Sequence, residues 1–135
     1  MQVGRGGNRD RDECIRMVHR ALDAGINLFD TADGYGLGDS EELLGRALAG
    51  RRDEALVATK CFFPRDADVN RRGGSRRWIM RACDESLRRL AIDHIDLYQL
   101  HRLDPAADVE ESLGAMTDLV RAGKVRMVGT SAGSS

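Results

Sequence analysis

The chain predicts an α/β fold with a parallel sheet, and three observations carry that prediction. Short apolar runs alternate with amphipathic segments of helical period, in the order helix, then strand–helix three times, then strand. No proline interrupts any of these segments, since Pro64 and Pro105 both fall in loops past strand ends. The connections are long enough for helical crossovers, which makes parallel pairing with right-handed connections the expected topology.

The elements follow in order. The first dozen residues are rich in Gly and Arg, and residues 1–8 are expected to be disordered. Asp10 with Glu13 forms a capping-box pattern ahead of a helix with Ile15, Val18 and Leu22 on one face, and Gly25 stops it. Ile26 to Thr31 reads as a buried strand. A Gly-rich turn, Gly34 to Gly38, leads to Ser40 as an N-cap. Glu41 and Glu42 suit the positive end of the helix that carries Leu43, Leu44, Ala47 and Leu48. Ala55 to Thr59 is the second strand, closed by Lys60.

Residues 61–74 lack periodicity, and a loop of that length inside a compact domain is often functional. Ser75 opens a helix bearing Trp78, Ile79, Ala82, Leu87 and Leu90. Ile95 to Leu100 is a strand ending at His101. Asp108 with Glu111 forms a second capping box, for a helix with Leu113, Met116, Leu119 and Val120 that stops at Gly123. Val125 to Gly129 is the last strand, and Thr130 and Ser131 follow it.

Composition narrows the function classes. The chain has 135 residues, a single domain's worth, with 41% apolar and 32% charged residues. A net charge of −1 gives no field toward nucleic acid or membrane. No apolar run nears the roughly 18 residues of a membrane span, and the N-terminus has no signal-peptide core. Cys14, Cys61 and Cys83 are an odd, unpatterned set, expected to be reduced thiols in a cytoplasmic protein, with Cys14 and Cys83 as core filler. Three histidines without a His-x-His pair exclude a clustered zinc site, so no metal is expected. The basic run Arg71 to Arg77 lacks interleaved aromatics and reads as a solvated loop. Gly34-x-Gly36-x-Gly38 does not have dinucleotide-fingerprint spacing, and a turn that positions Tyr35 explains it.

Four polar residues stand at or just past predicted strand ends: Asp30, Tyr35, Lys60 and His101. In a parallel β/α fold those ends share one face, where sites are built. Lys60 is conspicuous because only two of the 21 basic residues are lysines. A free phenol has a pKa near 10, too high for proton exchange at neutral pH, and a neighbouring ammonium favours the phenolate. A carboxylate can orient that ammonium and keep it charged, and an imidazole can hydrogen-bond a substrate oxygen. Together they suit proton transfer to a carbonyl oxygen.

The segments Gly25 to Gly36, Ser40 to Leu48, Ala58-Thr59-Lys60, Ser86 to Leu90, Asp93 to His101 and Gly123 to Arg126 strongly resemble the aldo-keto reductase family, in the family's order. The resemblance implies a (β/α)8 TIM barrel, NADP(H) as cofactor, and reversible reduction of a small-molecule aldehyde or ketone. It assigns Tyr35 as general acid, Lys60 and Asp30 as its tuning pair, and His101 to the place beside the substrate oxygen. Asp30 and Ser131 would contact the cofactor, Ser131 at the nicotinamide carboxamide. Many relatives carry asparagine where this chain has Ala132. A full barrel needs about 250 residues. The expectation is therefore one partial barrel domain over residues 1–135, about four parallel strands without the C-terminal half. Such a half-barrel would self-associate or pair with a complementary half. The alternative is a truncated, non-catalytic relative acting as a binding or scaffold module.

Overall fold

The computed structural model describes residues 8–131. Of residues 1–8, expected to be disordered, residues 1–7 lie outside these residues, as does Ala132, while Asn8 is helical, which corrects the expectation there. The four helices are α1 (Asn8–Asp23), α2 (Asp39–Ala47), α3 (Arg76–Leu90) and α4 (Val109–Arg121). They alternate with β1 (Leu28–Asp30), β2 (Leu56–Cys61), β3 (Ile95–Leu100) and β4 (Val125–Thr130). The strands form one parallel sheet in chain order, β1-β2-β3-β4. Helices joining neighbouring parallel strands in sequence order make an arc of a barrel, which is the expected partial (β/α)8 architecture.

Period-2 alternation divides the sheet. Phe29, Val57, Cys61, Tyr98 and Leu100 face the helices and are buried with Val18, Leu44, Trp78, Ile79, Leu90, Met116 and Leu119. The other face carries Leu28, Leu56 and Met127, which remain 50%, 46% and 66% exposed. Asp30 and Lys60 share that open face: Asp30 pairs in register with Ala58, two residues before Lys60. Gly45 sets the α2–α3 approach, since a Cβ there would come within 2.4 Å of the Leu90 carbonyl oxygen.

Local expectations are corrected at several points. Asn8 is already helical, so Asp10 lies inside the first turn of α1 and is not its cap. β1 is half the expected length and Ile26 is exposed, because no described strand covers the outer side of this edge. Ser40 is not the α2 cap. Gly38 occupies that position in a left-handed conformation, and the Ser40 hydroxyl is instead bonded to the Thr31 hydroxyl at 2.7 Å in the core. Glu41 does stand in the first turn of α2 as expected, but inside the core. It is fully buried, accepting from Thr59 Oγ1 at 2.6 Å and from Arg89 Nε at 2.6 Å. Leu113 and Val120 are exposed, while Ala115, Met116 and Leu119 form the buried stripe of α4. Ser75 caps α3 as expected, accepting from the Trp78 N–H, and Asp108 caps α4 by accepting from the Glu110 N–H at 2.9 Å. Cys61 and Cys83 are buried and Cys14 is half-buried against the core. Burial pushes the Cys83 thiol up to about 12 and Cys61 higher still, so neither is a reactive thiolate.

Candidate active site

The ladder between strands extends past their ends and thereby assembles one polar cluster. The Asp33 N–H donates to the Lys60 carbonyl at 3.0 Å, and the His101 N–H to the Cys61 carbonyl at 2.9 Å. The Ser131 N–H donates to the Leu100 carbonyl at 3.0 Å. Backbone bonds of this kind fix the four strand ends against one another before any side chain is considered.

Lys60 occupies the centre. Its Nζ donates to Asp30 Oδ1 at 2.7 Å, Asp30 Oδ2 at 2.8 Å and the Thr31 carbonyl at 2.9 Å, so all three ammonium protons have acceptors. Lys60 is buried, whereas the Asp30 side chain keeps 37% of its surface open. The same Nζ lies 5.2 Å from the centroid of the Tyr35 ring, within cation–π range. The His101 ring meets Tyr35 edge-on, with centroids 5.9 Å apart. Burial, then the Lys60 and Arg102 charges, hold the His101 imidazole below its ordinary 6.5, and Asp30 opposes them. That lowering favours the neutral imidazole, which has one ring N–H to offer.

Tyr35 is carried by a 3₁₀ turn over Tyr35–Gly38 in which Gly36, Leu37 and Gly38 have φ of 61°, 56° and 105°. A left-handed conformation costs a leucine about 1–2 kcal/mol. The turn is thus held by its surroundings and not by local preference.

All four expected catalytic positions converge on one end of the sheet, with Ser131 exposed at the end of the neighbouring strand. Three further residues border the cluster without being singled out in the sequence. Phe63 meets His101 edge-on, with centroids 4.7 Å apart, and Arg102 lies 5.5 Å from the Phe63 ring. Asp33 is 1% exposed, and neither carboxylate oxygen has a hydrogen-bond partner among the described residues. A Phe-Phe pair opening a long loop and an aspartate two residues before Tyr35 were the available signals. Neither has a period or spacing that announces it. Among the described residues no group of three metal-ligating side chains occurs, and no helix is long and apolar enough to cross a membrane.

Known proteins share the sequence and fold of this chain. The family model of the Aldo/keto reductase family matches residues 1–134. Aldo-keto reductase YhdN of Bacillus subtilis is 41% identical over 127 residues, which are 93% of this chain and 38% of that protein. The solved aldo-keto reductase of Bacillus halodurans, in its holo form, superposes with a TM-score of 0.81 at 36% identity, over 90% of this chain and 41% of its own. A thermostable aldo-keto reductase in complex with the inhibitor epalrestat gives a TM-score of 0.81 at 30% identity, over 95% and 44%. The chain thus spans about two fifths of the length of these relatives. Within that span, sequence and fold agree: the chain belongs to the aldo/keto reductase family.

Proposed function

We propose that this chain carries the acid–base half of an NADP(H)-dependent oxidoreductase that reduces a small aldehyde or ketone reversibly to an alcohol. The observation that carries the reading is the Lys60 ammonium, bonded to both Asp30 oxygens and set 5.2 Å from the Tyr35 ring centroid. In this reading the Tyr35 hydroxyl gives its proton to the carbonyl oxygen, and the Lys60 charge stabilises the phenolate left behind. Asp30 aims that ammonium through both of its oxygens. The neutral His101 ring directs an N–H at the same oxygen and orients it. In the oxidative direction the phenolate takes the alcohol proton back.

The residues present fit the nicotinamide end of the cofactor. Asp30 has open carboxylate surface beyond Lys60, and Ser131 stands exposed at the end of β4. These two would hold the nicotinamide riboside, and the bound cofactor would supply the hydride.

A second reading is favoured by the open apolar face at Leu28, Leu56 and Met127: a non-catalytic module that binds or scaffolds through that face. One experiment separates the two. The chain is assayed for aldehyde-dependent NADPH oxidation, alone and joined to the remaining C-terminal segment of the Bacillus subtilis relative. Turnover in the joined protein supports the reductase reading. A folded joined protein that binds NADPH yet turns over no aldehyde or ketone supports the module.

A further inference from the structure

The turn that carries Tyr35 has little of its own to hold it. Two of its hydrogen bonds are long, Tyr35 N–H to the Ala32 carbonyl at 3.2 Å and Leu37 N–H to the Gly34 carbonyl at 3.3 Å, and the Asp39 N–H closes its far end on the Tyr35 and Gly36 carbonyls. Three consecutive residues, Gly36 to Gly38, lie in the left-handed region, one of them a leucine. A turn with weak bonds and an unfavourable backbone needs an external brace.

That brace comes from the loop after β2. The Arg65 guanidinium donates through Nη1 to the Asp33 carbonyl and through Nη2 to the Leu37 carbonyl at 2.8 Å. These carbonyls stand two residues before and two residues after Tyr35. A planar fork that spans both ends of a turn fixes its width, which a point charge cannot do. Gly38 makes room for it, since a Cβ there would come within 3.3 Å of Arg65 Nη2 and 2.7 Å of Arg89 Cδ.

The loop is itself built to present Arg65. Its base is closed by Gly73 N–H to the Phe62 carbonyl at 2.6 Å, and its middle by Arg65 N–H to the Arg71 carbonyl at 3.2 Å. Asp66 and Asp68 side chains cap the amides of Asp68 and Asn70, and Arg71 ties the loop to Asp66 and to Glu85 of α3. The buried Asp33 carboxyl adjoins the turn, with Arg65 and Arg89 as the cations and Glu41 as the anion that act on it.

We infer that Arg65 is a positioning residue: it clamps the two ends of the Tyr35 turn through the Asp33 and Leu37 carbonyls. The functional weight of this rests on Tyr35 being the proton donor, but the clamp is testable without catalysis. The long loop is then a brace for the site and not a passive connection.

The test is hydrogen exchange by mass spectrometry on the chain, resolving the peptide over residues 33–38, for wild type, Arg65→Ala, Arg65→Lys and the loop control Arg72→Ala. Arg65→Ala is expected to speed exchange in residues 33–38 at least tenfold and to leave β2 and α3 unchanged. Arg65→Lys keeps the charge without the fork, and is expected to restore protection in part. Arg72→Ala is expected to match wild type. Should Arg65→Ala not fold, Arg65→Lys carries the test alone, through partial loss confined to the same peptide. Exchange within twofold of wild type in Arg65→Ala would overturn the clamp. So would a rise spread evenly over sheet and helices, or full protection in Arg65→Lys. A clamp that fails here leaves the proton-donor role standing, and loss of that role leaves the exchange result standing.

Discussion

Lys60 bridges both oxygens of Asp30 across the β1–β2 pair while itself shut away from water, and the two partners are buried unequally. The asymmetry decides which half of the pair the fold needs more. Removing Asp30 strands an ammonium in a closed site with one carbonyl acceptor left, from Thr31. Removing Lys60 leaves a carboxylate that water can reach.

Asp30→Ala should therefore destabilise the chain more than Lys60→Met. Losing one partner of a buried pair costs about 3–5 kcal/mol, and the open carboxylate left in Lys60→Met should cost well under that. Urea midpoints of the two variants check the order. A larger loss in Lys60→Met would contradict it.

Asp33 should make stability pH-dependent. Burial first, then the Glu41 charge, push its carboxyl from 3.8 up to about 7, against the pull of Arg65 and Arg89. Below the unfolded value both states hold the proton. Between the two values only the native state holds it, so stability falls as pH rises, and above about 7 the loss is complete. The full effect is at most about 4 kcal/mol. Asp33→Asn should match wild type near pH 4 and melt higher than wild type near pH 8. Equal differences at both pH values would refute the linkage.

His101 should titrate below 6.5, from burial first and then the Lys60 and Arg102 charges. Arg102→Ala should move its midpoint up toward that value. Imidazole proton shifts in an NMR titration read both directly. A midpoint at or above 6.5 in the wild type would remove the neutral ring that the proposed chemistry uses.

The open sheet face should make the isolated chain associate. Leu28, Leu56 and Met127 stand exposed on it, and β1 and β4 are both edge strands in the described sheet. Exposed apolar faces and unpaired edges both favour association. Light scattering should show species larger than a monomer, and the double variant Leu56→Lys, Met127→Lys should reduce them. A monodisperse wild-type monomer would count against this.

Much of this was legible in the sequence because apolar runs and helical periods mark where strands end. Asp30, Lys60 and His101 each stand at a predicted strand end, and in a parallel sheet those ends share one face, which is what gathers them. What escaped was set by tertiary contact. Ser40 has the type and position of an N-cap, but Thr31 competes for its hydroxyl in the core. Glu41 looks like a helix-end charge until Arg89, 48 residues later, is brought onto it. Arg65 reads as one arginine among many, and only the folded loop shows that it reaches both ends of the Tyr35 turn.

In the proposed chemistry Tyr35 is the proton donor, with Lys60 stabilising its phenolate. The most direct measurement is kcat for aldehyde reduction in the chain completed by the C-terminal segment of its Bacillus subtilis relative, for wild type and Tyr35→Phe. The account predicts a fall of roughly 10²–10⁴-fold in Tyr35→Phe, with the fold and NADPH affinity kept. A Tyr35→Phe enzyme that turns over at close to the wild-type rate would contradict it.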